Sequence, residues 1–168
     1  AVAVADAHPR VLELGLIMGR CELALGEVDA ANARFARLLE ARRADPVWTG
    51  SRDEVALLGN LGAALLVAER PEDAVAHLET AVGILDDDGA AEDDRFRISL
   101  DANLGTALLE TGQPARAAKV LDDAARRSSQ LGESRTRNGL MLRRQLALAL
   151  AQTGNLDRAA RELDGLAA

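Results

Sequence analysis

The sequence is poor in the residues that most often carry chemistry in small proteins. It has one cysteine, two histidines and no tyrosine in 168 residues. A single cysteine, Cys21, excludes an intrachain disulfide and a cysteine-rich zinc site. Neither His8 nor His77 has a second histidine at the spacing of a helical metal pair. We therefore predict no metal, no cofactor and no catalytic centre, and expect a protein that is not an enzyme.

Positive charge and long apolar runs are also scarce. Lys119 is the only lysine, and 27 acidic against 20 basic residues give a net charge of −7. This balance argues against nucleic-acid binding and against an anionic membrane surface, since both need clustered cations. No stretch approaches the roughly 20 apolar residues of a membrane helix, and the first residues do not resemble a signal peptide. A cytoplasmic protein with no nucleic-acid and no membrane partner is predicted.

Aromatic residues are rare, whereas alanine and leucine dominate. Only Phe35, Trp48 and Phe96 are aromatic. This composition favours helices over strands, because alanine and leucine are strong helix formers and few residues suit a pleated surface. The predicted fold class is all-α.

Two segments between the predicted helices are candidates for a ligand site, and both have a simpler interpretation. The acidic stretch 86–94 does not fit a calcium loop, because aligning Gly89 with the loop glycine puts Ile84 at the first ligand position. A solvated acidic loop is favoured instead. Trp48 either anchors a ligand or fills the space between repeats, and the second interpretation is favoured.

The chain does contain an internal repeat. LGNLGAALL at residues 58–66 returns as LDANLGTALL at 100–109. Three columns of residues recur with the same spacing of 42 or 43 positions, which chance would not produce in register. The columns are a first small residue (Gly19, Gly62, Gly105, Ala147), a second small residue twelve positions later (Ala31, Ala74, Ala117, Ala159) and a large residue four positions further on (Phe35, Leu78, Leu121, Leu163).

Each repeat predicts two antiparallel helices. Leucine and alanine recur at spacings of three and four residues, as one face of a helix requires. Pro71 and Pro114 suit the first turn of a second helix. Glu69 stands where the other repeats have glycine, and a left-handed conformation there would cost about 1 kcal/mol. The glycines expected to form left-handed caps after the first helix are Gly26, Gly112 and Gly154.

The first small column is expected to let the two helices of a repeat pack closely. Glycine inside a helix costs roughly 1 kcal/mol relative to alanine, so its recurrence at one position needs a packing reason. We expect Gly62 to face Ala74, and Gly105 to face Ala117, where the two helix axes cross.

This pattern resembles the tetratricopeptide repeat. The third repeat reads Leu104-Gly105, Leu108, Gly112, Ala117, Leu121 and Ala124, as the family motif requires, whereas Glu22 replaces a large residue in the first. The units are about 8 residues longer than the usual 34, and so are similar to those of kinesin light chains and bacterial multi-repeat regulators. The resemblance implies a right-handed α-α superhelix of four helix hairpins. The expected units of one domain over 1–168 are approximately 8–44, 51–87, 91–130 and 133–167.

The resemblance also implies a protein–protein interaction module. In such repeats the first helices line a concave face that holds an extended peptide or a partner helix. Asn60 and Asn103 resemble asparagines that pair with a peptide backbone in related proteins, or they brace the neighbouring helix; both interpretations remain open. Arg20 and Arg144 favour a peptide with acidic flanks. The predicted peptide-binding residues are Asn60, Asn103, Gln145, Arg20, Arg144, Ala63, Thr106, Leu66 and Leu109.

The two ends favour a segment of a longer protein, such as the repeat region of a bacterial regulator. The chain starts without methionine and stops without a polar capping helix, which terminal repeats normally need. The alternative is a stand-alone scaffold that assembles a multiprotein complex or self-associates through its repeat ends. Leu156, Leu163 and Leu166 are expected to be partly uncovered and to support a homo-oligomer.

Overall fold

The computed structural model describes residues 9–43, 52–88 and 94–167, and the regular structure in these ranges is entirely α-helical. The predicted all-α fold of paired helices is confirmed. Trp48 and Gly89, on which the two candidate ligand segments rest, lie outside the described residues. The helices are α1 (Pro9–Leu25), α2 (Val28–Arg43), α3 (Arg52–Val67), α4 (Pro71–Asp88), α5 (Asp94–Glu110), α6 (Pro114–Gln130), α7 (Arg137–Gln152) and α8 (Leu156–Ala167).

The chain divides into two compact units, residues 1–90 and 91–168. In the first unit, α3 lies against α4, its hairpin partner, and against α1 and α2 of the preceding hairpin. In the second unit, α7 lies against α8 and against α5 and α6 in the same way. Each unit is therefore a pair of stacked hairpins, and the assignment of the whole chain to a single domain stays a prediction.

Tight turns end five of the described helices with one backbone arrangement. After α5, the Gly112 amide donates to the Leu109 carbonyl at 3.1 Å, and the next amide donates to the Leu108 carbonyl at 2.8 Å. These paired bonds satisfy carbonyls that the end of a helix leaves open, and they require one left-handed residue. The glycine caps predicted after the first helices are confirmed, and Gly132 forms one more. The left-handed residues are Gly26, Glu69, Gly112, Gly132 and Gly154.

Glu69 is the one described non-glycine residue in this conformation, with φ of 57°. We expect Glu69→Gly to raise the free energy of unfolding by about 0.5–1 kcal/mol, because relief of the Cβ strain exceeds the added entropy of the unfolded chain. Gly112→Ala, at φ of 71°, should lower it by about 1 kcal/mol although open space surrounds that position. Urea unfolding followed by circular dichroism measures both changes. Shifts of the same sign would contradict this explanation.

The first small column makes room for the large column of its own hairpin. A Cβ added to Gly62 would lie 2.5 Å from Cγ of Leu78, and one added to Gly105 would lie 2.4 Å from Cγ of Leu121. These leucines supply the atoms nearest to the two glycine positions, because a helical side chain points back toward the preceding turn and the leucine reaches over the alanine four residues before it. The crossing of the helix axes at Ala74 and Ala117 stays a prediction.

Glu22, which departs from the repeat motif, is matched by Arg34 on the partner helix. Arg34 donates to the carboxylate through Nε at 2.9 Å and through Nη2 at 2.5 Å. The hydrogen bond from Arg34 holds the pKa of Glu22 below its usual value against the opposing effect of burial, and the attraction of the charges adds to it. A bidentate ion pair thus replaces an apolar contact in the first hairpin.

Candidate functional site

A groove with a volume of ≈ 480 Å³ lies between α5 and α7, the first helices of the two hairpins in the second unit. Its residues recur three or four apart on each helix, so each helix contributes one face. The opposite faces carry residues that are buried in the core, such as Leu108 on α5 and Ala147 on α7. The main lining residues are Ile98, Ser99, Ala102, Asn103 and Thr106 from α5, and Asn138, Met141, Leu142 and Gln145 from α7.

One hydrogen bond joins the two walls of the groove. Gln145 Nε2 donates to Thr106 Oγ1 at 2.5 Å, and the Thr106 hydroxyl donates to the Ala102 carbonyl at 2.9 Å. Thr106 therefore acts as acceptor for α7 and as donor within its own helix. The bond sets the register of α7 against α5. Gln145 lies two positions before the first small column of the last hairpin, and Thr106 lies one position after the same column of the preceding hairpin.

Asn103 and Asn60 occupy the same position of their repeats but differ in their partners. Asn60 Nδ2 donates to the Ala56 carbonyl at 2.7 Å, so its amide braces its own helix. Within the described residues, the half-buried Asn103 side chain lines the groove and makes no hydrogen bond. The partner of Asn60 lies in its own helix and not in a neighbouring one; its contact with a peptide stays a prediction.

Charged side chains lie at the rim of the groove, and a smaller depression with charged and apolar side chains adjoins it. Arg95 Nε lies 2.6 Å from Glu133 Oε1, which forms an exposed ion pair at the rim. Next to the groove, Arg144 lies in a smaller depression of ≈ 140 Å³ together with the exposed Met141 and Leu148. A cation therefore stands beside apolar side chains, all on one face of α7.

The structure brings together only part of the predicted peptide-binding set. Asn103, Thr106 and Gln145 share the groove, and Arg144 adjoins it. Leu109, half-buried on α5, is not part of its lining. The other predicted residues belong to the first unit and form no part of this groove: Asn60, Ala63, Leu66 and Arg20.

The residues at the start of α7 were not predicted as part of the site. Thr136 caps this helix, because its Oγ1 accepts from the Gly139 amide at 3.1 Å. A Cβ on Gly139 would lie 2.2 Å from the Glu133 carbonyl oxygen, so only glycine lets the turn fold onto the helix here. A threonine just before a helical pattern is a recognisable N-cap signal, and it could have predicted where this wall of the groove begins.

A second cavity, of ≈ 310 Å³, lies among α2, α3 and α4 of the first unit. His77 lines it, and burial, followed by the charge of Arg43, lowers the pKa of this imidazole although Asp73 opposes the shift. His77 is therefore neutral at neutral pH. Asn32 also lines the cavity, and its Oδ1 is buried with no hydrogen-bond partner in the described part of the chain.

No three His, Cys, Asp or Glu side chains of the described residues are grouped as a metal site would require. None of the described helices has the length and apolar character needed to span a membrane.

The repeat columns and the stacked hairpins agree with the comparison against protein families. The family model of the tetratricopeptide repeat matches residues 18–90 and 103–168, most of the chain. The chain belongs to the tetratricopeptide-repeat (TPR) family. A search of curated proteins finds no match to this TPR chain.

Solved structures resemble this TPR chain along most of its length. A kinesin light chain of Podosopora anserina with nearly identical TPR-like repeats has 20% sequence identity and a TM-score of 0.76, covering 95% of this chain and 74% of that one. YrrB, described as a TPR protein with an unusual peptide-binding site, has 21% identity and a TM-score of 0.64, covering 90% and 65%. BtubC from P. vanneervenii has 15% identity and a TM-score of 0.73, covering 91% and 59%. At these identities the likeness shows the fold alone.

Proposed function

We propose that this TPR protein is a non-catalytic interaction module that binds an extended peptide in the groove between α5 and α7. TPR proteins are generally non-catalytic scaffolds, which supports a role in protein–protein interaction. The observation that carries the choice of site is Asn103, a half-buried amide in the groove with no hydrogen bond in the described structure. The peptide-binding site named for YrrB lends further support.

The chemistry of the groove suits an extended backbone. An asparagine amide offers both a donor and an acceptor, and an extended peptide presents both along each edge. Ile98, Met141 and Leu142 line the groove around Asn103 and can contact apolar side chains of the peptide. The exposed Arg144 in the adjoining depression favours an acidic residue at one end of the ligand. The expected ligand is therefore an extended peptide with apolar side chains and an acidic flank.

Asn103→Ala should weaken peptide binding about 2- to 12-fold, the effect of losing one hydrogen bond worth about 0.5–1.5 kcal/mol. Peptides are first selected from a displayed random library on the wild-type chain, and calorimetric titration then compares the variants. Asn60→Ala is the matched control, because it removes the same side chain at the equivalent position in the other unit. It should bind as wild type does.

The same titrations test the role assigned to Arg144. Arg144→Ala should weaken binding of peptides that carry an acidic flank, and the loss should shrink as salt rises, because an exposed charge pair is screened. Circular dichroism checks that helical content is unchanged. If Asn103→Ala binds every selected peptide as tightly as wild type, or Asn60→Ala is equally impaired, the groove is not the peptide site.

We further propose that the module serves a regulatory protein of the bacterial cytoplasm. The length of the repeat units, which resembles that of bacterial multi-repeat regulators, supports this assignment. Affinity capture from the native host with wild type and Asn103→Ala in parallel, followed by peptide mapping, identifies partners that depend on the groove. Partners captured equally by wild type and Asn103→Ala would count against a regulatory role that acts through the groove.

A further inference from the structure

Helix α1 carries an apolar face that is open to solvent. Leu14, Ile17, Met18 and Cys21 are all exposed and share one side of the helix. We call these four residues the head face. Three of its four positions recur on α3 and α7, where they are buried: Leu57 and Leu142 correspond to Leu14, then Leu61 and Leu146 to Met18, and Ala64 and Ala149 to Cys21.

The contacts between hairpins explain this difference. Helix α3 lies against both helices of the preceding hairpin, and α7 does the same in the second unit. Among the described helices that contact it, α1 has only α2 and α3. The head face therefore has the pattern of a surface that receives a preceding hairpin, with no such hairpin against it in the described structure.

The last hairpin exposes apolar side chains on the side that would meet a following hairpin. Leu163 of α8 is 48% exposed, whereas Phe35 and Leu121, the members of the large column that have a following hairpin within their own unit, are both at 0%. Leu148 of α7, one position after the first small column, is also 51% exposed. We call Leu148 and Leu163 the tail face.

The register inside the second unit shows how the two faces would meet. There Gln145, two positions before the first small column, bonds to Thr106, one position after that column in the preceding hairpin. The same register would bring Ile17 of one copy against Leu148 of another. Both side chains are apolar and both are 51% exposed, so an apolar contact would replace the polar pair found within the chain.

We propose that two copies of this chain associate head to tail, the tail face of one on the head face of the other. The interface continues the hairpin stacking that already exists within each unit. Because the two surfaces differ, the contact is heterologous, and each copy added leaves one head face and one tail face open. Association should therefore proceed beyond the dimer as concentration rises.

Sedimentation velocity over a range of concentrations tests the proposal. The wild-type chain should show a mass that increases with concentration. Ile17→Arg removes the head contact and Leu148→Arg removes the tail contact, and each should weaken self-association at least about tenfold, because the arginine would have to be desolvated against leucine or isoleucine. An equimolar mixture of the two variants should form a dimer that grows no further, since each supplies the face that the other lacks.

Both substituted side chains are half-exposed, so helical content should not change. Val67→Arg is the matched control, because Val67 is an exposed apolar residue of α3 outside both faces; it should associate as wild type does. A wild-type chain that stays monomeric at high concentration would overturn the proposal. So would a Leu148→Arg variant that dimerises alone, which indicates a symmetric α1–α1 contact, or a Val67→Arg variant as impaired as Ile17→Arg. Peptide binding is measured separately on Ile17→Arg, because Leu148 lines the depression that holds Arg144 and its variant would alter that site.

Discussion

Replacing Gly105 by leucine should lower the free energy of unfolding by about 3 kcal/mol, the upper part of the range for overpacked cores. Even a single added Cβ would lie 2.4 Å from Cγ of Leu121, and Leu121 is itself fully buried. The new side chain and Leu121 cannot both fit unless the helices of the third hairpin move apart. Urea unfolding at constant pH measures the loss.

Glycine substitutions elsewhere separate this packing effect from the backbone effect. Gly83 lies on the exposed side of α4, and an added Cβ there meets nothing within 4 Å. Gly83→Ala should therefore stabilise the chain by about 0.5–1 kcal/mol, since alanine is the better helix residue. In a Leu121→Ala background, Gly105→Ala should raise the free energy of unfolding by a similar amount, because the Leu121 side chain that obstructs the new Cβ is absent. A Gly105→Leu chain as stable as wild type would refute the assigned contact.

Asp101→Ala should destabilise the chain by about 3–5 kcal/mol, because it removes two charge-assisted hydrogen bonds of a buried ion pair. Arg97 Nε donates to both carboxylate oxygens of Asp101, at 3.0 and 3.1 Å, one turn apart on α5. Arg97 is 8% exposed and Asp101 is 3% exposed. The same unfolding measurement gives the size of the effect.

Asp73→Ala is the matched control for this ion pair. Asp73 pairs with Arg70 at 2.6 Å, but both side chains are more than half exposed. Its removal should cost less than about 1 kcal/mol, as is usual for an exposed pair. Replacing both members of the buried pair, Arg97→Met with Asp101→Leu, should recover most of the stability. Equal losses for Asp101→Ala and Asp73→Ala would contradict the role assigned to burial.

The fold was largely predictable because its signals are local or periodic. The left-handed conformation of Gly112, and the strain at Glu69, follow from the short turn between two helices, where only a few backbone angles close the chain. Pro71 and Pro114 begin α4 and α6 as predicted, because a helix start has no amide bond for proline to lose. Three columns of residues that recur with the same spacing then indicate similar hairpins stacked on each other.

The groove was predictable only in part. Asn103, Thr106 and Gln145 were identified from their repeat positions, and the structure places them together. Asn60 has the same repeat position and sequence context, yet its amide bonds to its own helix. A repeat position gives the face of a helix on which a side chain lies. It does not give the rotamer or the neighbouring groups, which decide whether an amide is available to a ligand.

The sequence by itself determined that this protein is a series of helical hairpins and where most of them begin and end, since helix propensity, caps and periodicity act within a few residues. Only the tertiary structure decided that Leu121 fills the space above Gly105, and that Arg34 matches Glu22. It alone also showed that α5 and α7 enclose a groove. These features depend on how far a side chain reaches and on which helix lies opposite, and no spacing along a single helix contains that information.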